Sequence, residues 1–275
     1  MNKDGWEAFQ ISKSYLHIAN TFSPTPLYKF SGILRVAVDD QLLNLMKNAS
    51  EQHPHLSQYL STDKVYKKFS LDQWPALWLP QFGSVKCKAY LKALWKACQH
   101  IGKANFIRTC IQNPFLELTS YYDTSIICAG YQTPKLAKLP PKEFTVLRGQ
   151  TVTVQAPTSF PKQQVAIAGY QYLIPQSSPN NYTLGATYER NQMDTSSSLE
   201  KAWEALIPKS RTFKLGIETW KPINFQLGHR LMTANRLPCI RAINDKIYLF
   251  TGLGSKGLLY HAYFAEKLAK QILTY

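Results

Sequence analysis

Acidic residues are scarce in this chain of 275: 17 Asp and Glu stand against 32 Lys and Arg, for a formal net charge of +15. Such an excess attracts polyanions and anionic substrates without identifying them. The lysines are spread out, with small clusters at Lys67-Lys68 and Lys135–Lys142, which reads first as a solvated basic surface and second as an RNA groove. Long apolar runs are absent too. No stretch reaches the ~20 residues that span a bilayer, and Met1–Gln10 has no apolar signal-peptide core. The expectation is a soluble, cytoplasmic protein with no membrane span. The five cysteines are odd in number and include no CxxC, so a reduced compartment fits better than a disulfide framework. Cys110 and Cys128 lie in apolar, strand-like segments and read as buried thiols. Only His53-Pro54-His55 sets two histidines close, without a cysteine or carboxylate at ligand spacing, so no metal is expected. Repeats and low-complexity linkers are missing. Glycine is sparse early: the first 90 residues hold only Gly5, Gly32 and Gly83.

What is present is an ordinary globular balance, 45% hydrophobic and 18% charged, with material for one large domain or two interleaved ones. Trp6–Asn20 has helical spacing, with Phe9, Tyr15, Leu16 and Ala19 on one face and Pro24 and Pro26 beyond. Tyr28–Val38 holds a strand pair around Gly32. Asp39-Asp40 can cap a helix from Gln41 to Glu51. Ala76–Pro80 reads as a strand. Lys88–His100 reads as a helix with Tyr90, Leu91, Leu94, Trp95 and Cys98 on one face, closed by Gly102. Asn105–Cys110 and Phe115–Thr119 read as strands. Thr124–Cys128 is an apolar strand without alternation, which predicts burial on both faces. From Phe144 the texture becomes antiparallel sheet. A helix from Ser196 to Ile207 follows, capped by Ser198 and stopped by Pro208. Lys246–Thr251 is a strand, Gly252–Gly257 a turn and Leu258–Leu273 a helix. Helix and buried-strand segments thus flank a β-rich region, which predicts a Rossmann-like layer, discontinuous in sequence, with an antiparallel sheet inserted.

Gly252-Leu-Gly-Ser-Lys-Gly257 matches GxGxxG between a strand and a helix. A dinucleotide unit would need a second strand and an acid about 20 residues on, and only 18 residues follow Gly257. Two readings remain. One is an ordinary glycine-rich turn. The other is a site where backbone approaches a ligand closely and a helix N-terminus stabilises an anion or an electron-rich ring oxygen.

A set of motifs in order carries a resemblance. Ile126–Gly130 is a strand ending in Ala129-Gly130. Arg148-Gly-Gln150, Tyr172-Leu-Ile-Pro175 and Leu184-Gly-Ala-Thr187 with Glu189 follow. Then come Leu227-Gly-His-Arg230, Thr233, Arg236-Leu-Pro238 and Gly252–Leu258. From about Leu27 to its end the chain resembles the D-amino-acid-oxidase and glycine-oxidase superfamily of FAD-dependent oxidoreductases. Within it, the ends are most similar to the flavin domain of the bifunctional tRNA wobble-uridine modification enzyme, though Asn235 replaces its usual acid and Lys256 its arginine.

The resemblance implies a mixed α/β and α+β fold: a truncated Rossmann-like FAD-binding layer with an inserted mixed or antiparallel-sheet substrate domain. Residues 1–23, 88–140 and 226–275 would form the first, and 24–87 and 141–225 the second. It implies FAD as cofactor, met by Ala129, Gly130, Gly252, Leu253, Gly254, Ser255, Lys256, Gly257 and Leu258. It implies a substrate with an amine beside a carboxylate, bound by Arg230, whose planar fork suits two parallel hydrogen bonds. Tyr172 would reach the substrate or be a satisfied core tyrosine. Lys256 would add charge near the flavin or face solvent, and Arg148 would be structural support. No side chain is assigned as catalytic acid or base.

The family's opening strand–GxGxxG–helix unit has no counterpart here, so the expected chain is an incomplete one. A misassigned start or split gene, a shortened chain and a degenerate remnant all fit. The functional expectation is oxidation of the C–N bond of a small amino acid or carboxymethyl-amine. Two alternatives accompany it: the same chemistry on a tRNA wobble uridine, and an inactive remnant or subunit that pairs with a separate nucleotide-binding polypeptide.

Overall fold

The computed structural model describes residues 3–71, 73–102 and 104–274. Its largest element is a nine-stranded mixed sheet. The sheet's spine, Phe144–Gln155, buries Val152 and Val154 completely while Thr151 and Thr153 point to the other face, as the two-residue period of a pleated strand dictates. Asn181–Gly185 pairs antiparallel along one edge of it and Lys221–Thr233 along the other. Beyond Asn181–Gly185 the order runs Tyr172–Pro175, Ala166–Ala168, Ile33–Val36, Ala76–Leu79 and Gln58–Leu60. Only Ile33–Val36 beside Ala166–Ala168 is a parallel pair in that run. Helix Leu199–Ser210 buries Ala202 and Leu206 in a core with Leu34, Val36, Ile167, Leu173 and Phe213. Ser198 caps that helix by accepting from the Lys201 N–H at 3.3 Å.

A second layer is built on three strands. Cys239–Ala242 lies antiparallel to Ile247–Thr251, which pairs in parallel with Ser125–Ile127. Ile247, Leu249, Ile127 and Ala137 form its core. Helix Gly257–Leu273 follows directly and packs on helix Lys3–Asn20, with Tyr260 and Tyr263 around Ala8. The Ser12 hydroxyl donates to the Leu259 carbonyl at 2.9 Å across that contact. Helix Cys87–Ile101 packs Tyr90 and Ala93 against Leu16, Ala19 and Leu27. The Lys221–Thr233 strand lies entirely in the large sheet although residue 226 begins the third cofactor-layer segment expected from sequence. No helix of the described residues is long and apolar enough to cross a membrane.

Several local expectations are corrected. The two strands around Gly32 do not pair with each other: Tyr28–Lys29 joins Ser84–Val85, and Ile33–Val36 joins the large sheet. Gly32, at φ +93°, has the Trp78 ring where a Cβ would stand, so the chain turns away there. Asn105–Cys110 has no regular structure, and Pro114–Glu117 is a helical turn rather than a strand. Pro114 is preset for a first helical position, and the Glu117 carboxylate accepts from the N–H groups of Gln112 and Asn113 at 2.9 and 2.6 Å. Ser125–Ile127 is not buried on both faces: it is an outer strand of its sheet, and Ile126 is 46% exposed. Cys110 and Cys128 are exposed, not buried. Helix Cys87–Ile101 buries Tyr90, Ala93 and Ala97, while Leu91, Trp95 and Cys98 are exposed. Its small residues allow close approach, which the larger apolar stripe would prevent. Pro208 lies inside helix Leu199–Ser210, which runs two residues past it. Helix Thr62–Phe69 and strand Gln58–Leu60 had no expectation.

Candidate functional site

In the ladder between Phe144–Gln155 and Lys221–Thr233, Gly149 faces Gly228 and Arg230 faces Leu147. A Cβ on Gly149 would stand 3.1 Å from Arg230 Nη2 and 3.4 Å from its Cζ. The half-buried guanidinium therefore lies directly over that glycine. Among the described residues Arg230 has no ion-pair partner and no side-chain hydrogen bond. A cation in that state is a ready receptor for a planar anion.

Tyr172 is the neighbour of that charge. Its ring lies against Gly185, where a Cβ would come within 2.8 Å of the hydroxyl. Burial pushes the hydroxyl's pKa up, and the positive charge of Arg230 pulls the other way. Ionisation of Cys87, the first residue of helix Cys87–Ile101, would raise it further, but burial keeps that thiol protonated. No described residue hydrogen-bonds the Tyr172 hydroxyl.

Beneath this pair is a polar buttress. Arg148 forms a 2.8 Å ion pair with Glu189 and donates to the Ser196 carbonyl at 2.8 Å. Glu189 also accepts from Thr187 at 2.7 Å and Gln150 at 3.0 Å, and the Thr187 hydroxyl accepts from the Gln150 N–H at 2.9 Å. Burial alone would raise the Glu189 pKa, but these hydrogen bonds and the Arg148 charge outweigh it and hold the carboxyl below its usual range. Arg148 is thus committed to structure, and Arg230 is not.

The glycine turn lies at the end of the Arg230 strand. Met232 and Leu253 form an isolated antiparallel bridge. Gly252 (φ +72°) is packed so closely that a Cβ would come 2.8 Å from Thr233 Cγ2, and Gly254 is at φ +52°. Ala129-Gly130 meets the same turn from the parallel strand: the Thr251 hydroxyl donates to the Gly130 carbonyl at 3.3 Å. Gly130 is exposed, and a Cβ there would touch nothing within 4 Å. Tyr131 sits 4.8 Å from the ring of His229, whose buried Nε2 has no partner. Ser255, Lys256 and Leu258 are exposed, Gly252 is buried, and Leu253, Gly254 and Gly257 are half-buried. Lys256 lies back along its own helix, 5.7 Å over the Tyr260 ring.

The structure therefore brings Ala129, Gly130 and Gly252–Leu258 to one place, with the Arg230 strand leading into it. The arrangement fits an electron-rich ring edge: an open surface at Gly130, a turn that only glycine tolerates, and the first free N–H groups of a 17-residue helix. Sequence reasoning missed one pair beside it. The Tyr90 hydroxyl is 2.7 Å from His261 Nε2, and His261 Nδ1 is 3.0 Å from the Gly257 carbonyl. The two side chains are 171 positions apart, and no local pattern signals them.

A family described as DAO, FAD dependent oxidoreductase, matches residues 6–271. Over 283 aligned residues the chain is 23% identical to a tRNA 5-methylaminomethyl-2-thiouridine biosynthesis bifunctional protein of Idiomarina loihiensis, covering 97% of this chain and 46% of that protein. The protein of the same name from Methylibium petroleiphilum is 26% identical over 170 residues, covering 48% of this chain and 24% of that one. The chain thus spans less than half the length of either relative. Its fold is that of the glycine oxidase of Bacillus cereus, with a TM-score of 0.82 at 17% identity over 99% of this chain and 82% of that one.

Proposed function

The chain belongs to the DAO family of FAD-dependent oxidoreductases, and from that membership we propose that it oxidises the C–N bond of a small amino acid or carboxymethyl-amine. The observation that carries this reading is Arg230: a half-buried guanidinium over Gly149, without an anionic partner among the described residues, beside Tyr172 and three residues before the strand ends at the glycine turn. Arg230 grips the substrate carboxylate with two parallel hydrogen bonds. Tyr172 offers a hydroxyl that burial keeps protonated. FAD, when bound, supplies the two-electron acceptor. Ala129, Gly130 and Gly252–Leu258 hold its ring, and the N-terminus of helix Gly257–Leu273 stabilises negative charge there. Residues 1–23, 88–140 and 226–275 make up the cofactor side, and 24–87 and 141–225 the substrate side.

The first experiment is a visible spectrum of the purified chain after incubation with FAD and desalting. A retained flavin band that bleaches anaerobically with an N-substituted glycine supports the reading. Retained flavin that no carboxylated amine bleaches, or bleaching that Arg230→Ala leaves unchanged, sinks it.

One observation favours a tRNA-borne amine as substrate. Lys88, Lys92 and Lys96 recur every four residues along helix Cys87–Ile101, all exposed, on a helix without a single acid. The stripe starts one residue after Cys87, the first residue of that helix. A phosphate backbone following it would deliver an attached amine to Arg230. Filter binding decides: absence of tRNA affinity at low salt rules this out. The open Ser125–Ile127 edge, with Ile126 exposed, supports pairing with a separate nucleotide-binding polypeptide. Full flavin retention by the chain alone would remove the need for one.

A further inference from the structure

We propose that Tyr90 and His261 are positioning residues that lock the glycine turn to helix Cys87–Ile101 through one fixed histidine tautomer. This inference rests on the reading above for what the turn holds, not for the lock itself. The Gly257 carbonyl can only accept, so His261 Nδ1, 3.0 Å away, carries the hydrogen. Burial lowers the His261 pKa, so the ring is neutral and Nε2 is a bare acceptor. The Tyr90 hydroxyl, 2.7 Å away and itself buried, must donate to it. The rings meet edge to face at 5.5 Å and 86°.

The chain of donors is therefore one-way: Tyr90 to His261 to the carbonyl of Gly257, the first residue of the C-terminal helix. Donors and acceptors so aligned polarise one another. Mechanically, the lock joins two helices near their N-terminal ends. Tyr90 is one turn into helix Cys87–Ile101. His261 is one turn into the helix that begins at the Gly252–Lys256 turn. A shift of the turn relative to helix Cys87–Ile101 would break this partly buried hydrogen bond. The ionisable group facing this pair from the N-terminal helix is Tyr15, whose own hydroxyl is kept protonated by burial and by the charge of Glu266 on the C-terminal helix.

Three readouts on the apo chain and on FAD binding test the lock. Nitrogen-15 NMR of the wild-type imidazole should show a protonated Nδ1 and an unprotonated Nε2 throughout neutral pH. Tyr90→Phe keeps the ring and removes the donor. It should speed amide exchange at Gly254–Leu258 at least tenfold while Val152 and Val154 stay unchanged, and raise the FAD dissociation constant about tenfold. His261→Phe should do the same to exchange. Unchanged exchange at Gly254–Leu258, or equal acceleration at Val152 and Val154, overturns the positioning role and leaves a plain packing contact. An Nε2-protonated imidazole overturns the tautomer. If the wild-type chain binds no FAD, the cofactor reading fails alone, and the exchange comparison still decides the lock.

Discussion

The Arg230 guanidinium occupies the space that a side chain on Gly149 would need, with Nη2 3.1 Å from where its Cβ would stand. A methyl there must push either the guanidinium or the strand by a few tenths of an ångström. Gly149→Ala should therefore raise KM for a carboxylated amine about tenfold, equivalent to ~1.4 kcal/mol, with little change in flavin retention. Arg230→Ala should raise it on the order of 100-fold, because two charge-assisted hydrogen bonds are lost. Steady-state kinetics on the FAD-loaded protein would refute the placement if Gly149→Ala altered kcat alone.

Gly252 and Gly130 should respond differently to the same change. Both have positive φ, at +72° and +57°, which costs an L-residue roughly 1–2 kcal/mol. Only Gly252 also meets an obstacle, Thr233 Cγ2 at 2.8 Å. Gly252→Ala should lower the thermal midpoint clearly more than Gly130→Ala and should loosen FAD more. Equal shifts in a melting series would contradict the packing at Thr233.

Two acid-sensitive windows are expected. His261 has a lowered folded pKa, because burial disfavours its charged form. The unfolded state therefore binds the proton more tightly, and stability falls as pH drops below the usual ~6.5. Glu189 has a lowered folded pKa for the opposite charge type. Its contribution is present above the ordinary ~4.3 and is lost as pH falls towards the folded value. Urea midpoints against pH should lose the upper window in His261→Phe and keep the lower one. A wild-type curve flat from neutral pH to pH ~5 would contradict the buried neutral histidine.

Arg148→Ala should destabilise by about 2–3 kcal/mol, because it leaves the partly buried Glu189 carboxylate short of its cation. The loss should reach the flavin band only through unfolding. Denaturant titration would expose the error if Arg148→Ala kept full stability while KM rose.

Changing Lys88, Lys92 and Lys96 together to Ala should flatten the salt dependence of any tRNA binding by about two units of log–log slope, for ~0.7 per neutralised phosphate. Binding isotherms at several salt concentrations measure it. An unchanged slope would place the polyanion elsewhere, and oxidation of free small amines should be unaffected.

Much of the local structure was legible because its causes are local. Asp39 caps its helix by accepting from the Leu42 N–H at 2.7 Å, as an acid before a helical run suggests. Ser198 does the same for its helix. The turn at Gly252–Gly257 was visible because positive φ needs glycine. Phe115–Thr119 was misread because its β-prone residues were overridden by Pro114 and the Glu117 cap. The helix from Cys87 was placed correctly, but its buried face was not. Periodicity measures spacing, whereas the buried face depends on which neighbour comes close, and Ala93 and Ala97 let one in.

The sequence by itself indicated most of the elements and the order of the motifs and, through the family resemblance those motifs carry, Arg230 and the glycine turn as the residues to watch. Only the tertiary structure decided that Arg148 is neutralised by Glu189 while Arg230 is left without an acid among the described residues. It alone decided that Ile126 lies on an open edge and that Tyr90 meets His261. The physical reason is common to all three. Each is a matter of which distant group fills a space or answers a charge, and such pairings depend on long-range packing that no window along the chain contains.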